Sequence, residues 1–315
     1  MAIIYNGEQD TRLYKGVLGP IIDGLMEEDD KVVYLDADLM NCIGTGKLPA
    51  KTPRAIDCGI SEANMIGVAA GLSSQGFKPI CHSFGVFASR RVFDQVFLSA
   101  GYAKNPITVI GTDAGICAEI NGGTHMPFED TGVYRLIPGS IICDCTDITM
   151  MKAFLTMGKD SEGVKYVRCG RKDSYPVYSE DTKFEFGKGF VVRDGKDCVI
   201  VASGIMVHEA MQAAAALAEK GIDAAVIDPF TVKPLDVDLI RSYVAKTGAI
   251  VVAENHNAIG GLCSAVEGAI AGMGCKYGRV AVEESFGEVG KKAYLRERFD
   301  LTSDHIVRLV EGFRA

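Results

Sequence analysis

The sequence predicts an α/β protein made of two doubly wound domains. Three observations lead there. The apolar pattern switches repeatedly between helical and strand spacing, the strand segments are continuously apolar rather than alternating, and one polar stretch breaks the rhythm past mid-chain. Continuous apolar strands alternating with helices belong to parallel sheets covered on both faces. The 315 residues exceed the ~100–200 of one domain, and we assign residues 1–175 and 185–315 to the two.

In order along the chain, Leu13 to Glu28 carries helical spacing (Leu13, Val17, Ile21, Leu25), and Val32-Val33-Tyr34-Leu35 reads as a strand. Glu62 to Ser74 reads as a buried Ala/Gly-rich helix. Pro79-Ile80-Cys81 is a strand, Ser89 to Ala103 a helix, and Ile107-Thr108-Val109-Ile110 a strand. Ser140 to Cys145, Thr149 to Met157 and Lys165 to Cys169 read as strand, helix and strand. The polar stretch Gly170 to Asp181 reads as the linker. Beyond it, strands are expected at 199–202, 224–227, 249–253 and 279–282. Helices are expected at 206–220, from 235, and at 260–271. Thr302-Ser303-Asp304-His305 should cap a last helix bearing Ile306, Leu309 and Val310. In such folds the chemistry sits beyond the C-terminal ends of the strands.

Composition narrows the function. Lys plus Arg total 33 against 41 Asp plus Glu, a net charge of −8. A chain of this sign lacks the field that attracts polyphosphates, so a nucleic-acid partner is excluded. No apolar stretch approaches the ~18–20 residues that cross a bilayer, so no membrane is expected. The N-terminus shows no basic region followed by an apolar core. Ten cysteines are scattered without a CxxC pair, and Cys143 and Cys145 fall on one strand face. No histidine stands at metal-ligand spacing from them, and we expect no metal site and reduced core thiols in a cytoplasmic protein.

Several segments carry candidate chemistry. Gly44-Thr45-Gly46-Lys47 is not a phosphate loop, because Asn41 and Leu48 stand where that motif needs Gly and Ser or Thr. Glu62 opens a helix that is otherwise small and apolar. It either complements the helix dipole or, unless paired, is a buried carboxylate with a raised pKa and an acid–base role; the residues alone leave both open. In Cys81-His82-Ser83-Phe84-Gly85-Val86-Phe87, two aromatics three apart either pack the core or form a platform for a flat heteroaromatic ring. Asn121-Gly122-Gly123-Thr124-His125-Met126-Pro127 is a glycine-rich loop holding one of five histidines, and such loops carry function more often than packing. Arg168, ending a strand, is a candidate phosphate fork.

Taken together these segments resemble the transketolase family of thiamine-diphosphate enzymes, over essentially the whole chain and in order. Gly59–Leu72 is similar to the helix of the thiamine-diphosphate pyrimidine-binding domain, with Glu62 in the position of the glutamate that holds the aminopyrimidine. Ser83–Phe87 resembles the segment whose phenylalanines contact that ring. Gly122–Pro127 resembles the loop that supplies a substrate histidine, and residues 198–227 with Glu254–Leu262 resemble the transketolase C-terminal domain. The Gly-Asp-Gly…Asn signature that holds Mg²⁺ and the diphosphate is absent. The resemblance therefore implies the C-terminal subunit of a split transketolase. An N-terminal subunit would bring the metal and diphosphate site, and two copies of this chain would pair within an α₂β₂ assembly.

The resemblance also implies roles. Glu62 would favour the imino tautomer of the aminopyrimidine, which removes a proton from the thiazolium carbon. Phe84 and Phe87 would pack on the ring. His125 and Asn121 would bind sugar oxygens, and Arg168 and Arg12 the phosphate of sugar-phosphate substrates. Three positions depart from the family: Asn121 replaces an aspartate, Thr112-Asp113 replaces a histidine, and Cys42 stands near a phosphate-binding serine. The β-subunit of a 2-oxo-acid dehydrogenase shares the two-domain plan, but the Thr124-His125-Met126-Pro127 loop favours transketolase. Deoxyxylulose-phosphate synthase shares the domains within one longer chain. A non-catalytic assembly subunit is the third reading.

Overall fold

A computed structural model of the chain describes residues 3–314. Strands β1 (Val32–Asp36), β2 (Ala55–Asp57), β3 (Lys78–Phe84), β4 (Ile107–Thr112), β5 (Ile141–Asp144) and β6 (Val164–Cys169) form one sheet. Their order is β2-β1-β3-β4-β6-β5, and every pairing is parallel. Strands β7 (Phe190–Arg193), β8 (Cys198–Ala202), β9 (Ala224–Asp228), β10 (Ala249–Asn257) and β11 (Lys276–Val282) form a second, ordered β11-β10-β8-β9-β7. Strands β1, β4, β6, β8 and β9 are buried at every residue, which is why they read as unbroken apolar runs.

The two doubly wound domains are present, with one difference. The edge strand β7 runs antiparallel to β9. Its residues alternate between buried and half-buried, so Phe190-Val191-Val192-Arg193 carries no continuous apolar signal.

Two local expectations change. The helix expected over Ser89–Ala103 is broken into a 3₁₀ turn (Arg90–Val92), a short α-helix (Phe93–Gln95) and a π-helical segment (Val96–Tyr102). Its Gly101 lies so close to Ile137 that a Cβ would stand 2.8 Å from the Ile137 side chain. The polar stretch 170–181 is a packed strap. It pairs with the N-terminal segment through Lys15 N–H to Arg171 C=O and Asp10 N–H to Ser174 C=O, each 2.9 Å. Its Val177 and Tyr178 are buried, and their amides donate to Asp147 at 2.8 and 2.9 Å. The last helix, Ser303–Gly312, is capped by Thr302, whose hydroxyl accepts from His305 N–H. All ten cysteines are free.

The domains meet along the C-terminal ends of their strands. Asp228, ending β9, accepts from Thr146 and Tyr178 of the first domain and its strap. Burial pushes its carboxyl up to about 7 from 3.8. Between those values the folded chain holds a proton that the unfolded chain has released. This contribution to stability is therefore complete below about pH 4 and is lost as pH rises through about 7. Asp228→Asn should gain stability relative to the native chain as pH rises across that interval and level off above it. Denaturant unfolding of both proteins at several pH values tests this, and a pH-independent difference would refute the assignment.

Candidate active site

The sequence-predicted site converges at the C-terminal edge of the first sheet, where open parallel sheets place their ligand crevices. Glu62 opens the helix Glu62–Ser74 that follows β2, at the positive end of the helix dipole. The residue is 3% exposed. The carboxylate is paired: Arg91 Nη1 donates to both oxygens at 2.9 Å, and Ser83 Oγ makes a long 3.5 Å contact. The Arg91 side chain is 44% exposed and its guanidinium lies over the Phe87 ring, 3.9 Å from the centroid.

Phe84 ends β3, and Phe87 lies in the short helix Gly85–Ala88 that follows. Their centroids are 6.4 Å apart, and His125 meets them edge-on at 6.0 and 5.2 Å. The histidine can approach because position 85 is glycine: a Cβ there would stand 2.7 Å from Pro127 of the histidine loop. Thr124 Oγ1 lies 2.9 Å from His125 Nδ1, which fixes the ring and leaves Nε2 without a protein partner among the described residues. Asn121 is exposed on the same loop.

Two assigned arginines are elsewhere. Arg168 is buried, not open to a substrate phosphate: Nε donates to Asp130 (2.8 Å), Nη1 to Asp144 (3.1 Å), and Nη2 to the carbonyls of Pro127 and Asn255 (3.3 and 3.1 Å). Its charge is neutralised and its donors are occupied inside the domain junction. Arg12 is exposed and pairs with Asp10 and Glu180, contacting none of the residues above.

Besides Arg91, the cation that reaches the site is Arg171, which the sequence reading passed over. It lies 4.9 Å from the Phe84 centroid, and its Nε donates to Asp113 Oδ1 at 2.6 Å. Asp113 follows β4 with φ +63°. Burial raises its carboxyl above the usual range despite Arg171. The signal was available: Arg171 lies two residues past the end of β6, outside the apolar strand that buries Arg168.

Behind the site, His82 Nδ1 meets Asp36 at 2.7 Å and Nε2 meets Thr112 Oγ1 at 3.0 Å. Asp36 also accepts from the Tyr34 hydroxyl and, at 2.6 Å, from Leu39 N–H. The side chains of Tyr34, Asp36, His82 and Thr112 in this network are buried. It ties the ends of β1, β3 and β4 across the point where the strand order reverses. No set of His, Cys, Asp or Glu side chains suited to a metal occurs among the described residues, and no helix among them is long and apolar enough to cross a membrane.

Fold and site together define a two-domain α/β protein with a buried carboxylate, two phenylalanines and a histidine gathered at one sheet edge. Residues 12–174 match the pyrimidine binding domain of transketolase and residues 187–306 its C-terminal domain; the chain belongs to the transketolase family. A 6-deoxy-6-sulfo-D-fructose transketolase subunit from Clostridium sp. (strain MSTE9) is 45% identical, over 91% of each chain. Mouse transketolase is 31% identical over 90% of this chain but only 46% of its own length. A solved split-gene transketolase, described as an inactive β4 tetramer, superposes with a TM-score of 0.86 at 35% identity, covering 95% of this chain and 97% of that one.

Removing a partner from a buried ion cluster leaves uncompensated charge and costs about 3–5 kcal/mol. Arg168→Met should therefore destabilise the chain by about that much in denaturant unfolding, and Arg171→Met by less, because Arg171 pairs with the single carboxylate of Asp113 whereas Arg168 engages two carboxylates and two carbonyls. Equal losses would contradict the division between structural and site arginine.

Proposed function

We propose that this chain is the C-terminal subunit of a thiamine-diphosphate-dependent transketolase that moves a two-carbon ketol unit between sugars carrying a terminal anion. A separate N-terminal subunit would bring the Mg²⁺ and diphosphate site. The observation that carries the reading is the seat of Arg91. Its planar, cationic N–H donor stacks on Phe87 while hydrogen-bonding the buried carboxylate of Glu62. An aminopyrimidine would make the same two contacts, so these residues fit the group. Arg91 is half in solvent, so it can yield the position at little cost, whereas Glu62 is fixed by its helix. Each carboxylate oxygen also keeps a second lone pair for a ring N–H.

When bound, thiamine diphosphate supplies the carbanion chemistry of ketol transfer. The chain's residues do the rest. Glu62 holds or accepts a proton at its carboxylate against the ring nitrogen. Phe84 and Phe87 keep water from that ring face. His125, oriented by Thr124, offers Nε2 to a sugar hydroxyl or carbonyl, with Asn121 on the same loop. Arg171 takes the role first given to Arg168, binding the sugar's terminal oxyanion.

Two features support assembly. Ile60, Val68, Leu98 and Tyr102 are exposed apolar side chains on or beside the Glu62 helix and the π-helical segment. They provide an apolar face for pairing two copies of this chain. The split-gene transketolase that superposes on 95% of this chain is described as a β4 tetramer, which supports pairing of copies. The terminal anion is open to a second reading. The relative at 45% identity is named for a sulfonated ketose, and Cys42 and Asn121 depart from the phosphate-binding pattern. A sulfonate is therefore the alternative to phosphate.

The isolated chain should bind thiamine diphosphate weakly and lack turnover, and adding the N-terminal subunit should restore both; full activity of the chain alone would sink the proposal. In the reconstituted pair, Glu62→Gln should abolish turnover with an unchanged circular dichroism spectrum. Arg171→Gln should raise KM for the anionic donor about tenfold or more, the value of one charge-assisted hydrogen bond. Comparing 6-deoxy-6-sulfofructose with fructose 6-phosphate as donors decides which anion it serves.

A further inference from the structure

Between the two domains lies a cavity of about 220 Å³, far above the ~10–15 Å³ that one water needs. It shares no lining residue with the Glu62–Phe87–His125 group. One wall is the strap, with Asp173, Ser174 and Tyr175. The other is the start of the helix Met206–Glu219 and the helix Lys292–Arg298.

The cavity offers hydrogens rather than acceptors. Its carboxylates are already engaged: Asp173 by Lys292, and Glu209 by Arg296 Nη1 at 2.7 Å and by Ser303 N–H at 2.8 Å. Two buried polar atoms of its lining residues have no partner, Ser174 Oγ and Arg296 Nε. His208 is buried, stacked on Tyr175 with centroids 3.5 Å apart, and its Nδ1 lies 2.8 Å from the Tyr5 hydroxyl. Burial pushes the Tyr5 phenol up to about 12. Burial and the nearby Arg296 and Lys292 push His208 down to about 4. Tyr5 is then the donor and His208 Nδ1 the acceptor, so the neutral imidazole carries its hydrogen on Nε2.

The unspent groups around the cavity are thus the Nε2–H of His208, the Nε–H of Arg296, the remaining ammonium hydrogens of Lys292 and the Ser174 hydroxyl. All can donate, and two belong to cations. Buried donors without acceptors are costly, and an oxyanion supplies what they lack.

We propose that this cavity binds a small phosphate-bearing molecule, held between the domains by Ser174, His208, Lys292 and Arg296. Lys292 and Arg296 are partly exposed. Occupancy would be felt at the active site, because Arg171, which stacks on Phe84, lies three residues before Ser174 on the same strap.

The test is a titration of the full-length chain with inorganic phosphate, followed by NMR of the five histidine imidazoles, with the His208 signal identified by its loss in His208→Gln. Saturable movement of the His208 signal toward its protonated position is expected. Arg296→Gln should weaken that response about tenfold or more, as loss of a charge-assisted bond does. Ser174→Ala should also weaken it while leaving unfolding unchanged or shifted to higher denaturant, since it removes an unpartnered buried hydroxyl. A folded Ser174→Ala protein therefore keeps the test decisive if Arg296→Gln fails to fold. Repeating the titration with glycerol 3-phosphate separates an ester site, which should saturate at lower concentration, from a site for free phosphate. A His208 signal that stays still, or that responds equally in native and Ser174→Ala proteins, overturns the proposal. Movement of the His125 signal alone overturns it too, because that reports anion binding at Arg171 instead.

Discussion

The architecture depends on one buried guanidinium. Arg168 gathers Asp130, Asp144 and the carbonyls of Pro127 and Asn255. These groups belong to the histidine loop and its following helix, to the end of β5, and to β10 of the second domain. A charge taken wholly out of water must be neutralised and hydrogen-bonded, so its partners are held in one arrangement. Asn255 extends the tie: its side chain accepts from Ile116 N–H at 3.0 Å and donates to Ala114 C=O at 2.9 Å. Gly115 fits beneath it with φ +49°, at a spot where a Cβ would stand 2.1 Å from Asn255 Oδ1. The second domain thereby fixes both segments, 114–116 and 125–130, that lead to the site.

Against this rigid base the site is built in two grades of freedom. Glu62, His82 and the Asp36–Tyr34 pair are buried and bonded, while Arg91, Arg171 and His125 are half-buried or exposed. The half-site we propose, accepting a coenzyme presented by another chain, needs both. Its acid must not move, and the groups that cover the ring position must. Close glycine contacts set the boundary between the two, at Gly85 against Pro127 and at Gly123, where a Cβ would stand 2.0 Å from Gly287 C=O.

Much of this was legible in the residues. Fully buried parallel strands leave continuous apolar runs, so β1, β3, β4, β6, β8, β9 and β10 could be read directly. The Thr302 cap could be read from its hydroxyl position. Glu62, Phe84, Phe87 and His125 could be singled out because each stands where the apolar pattern ends. Strand β7 escaped because a half-buried edge leaves only a weak alternation, and the π-helical segment escaped because a register change keeps the same apolar count. Arg168 was misassigned for a related reason. An arginine at a strand end has the same local sequence whether it faces a ligand or a carboxylate brought from another element.

The sequence by itself determined most of the strands and helices, the two-domain plan and the kinds of side chain at the sheet edge, because these follow from local periodicity and from which residues lie beyond the apolar runs. Only the tertiary structure decided which arginine is buried and which faces the site, that Glu62 is paired with Arg91, and that Ser174, His208 and Arg296 meet around one cavity. Those outcomes depend on contacts between residues dozens to more than a hundred positions apart, and hydrogen-bond partners at that separation are chosen by the packing of the domains, which no local pattern records.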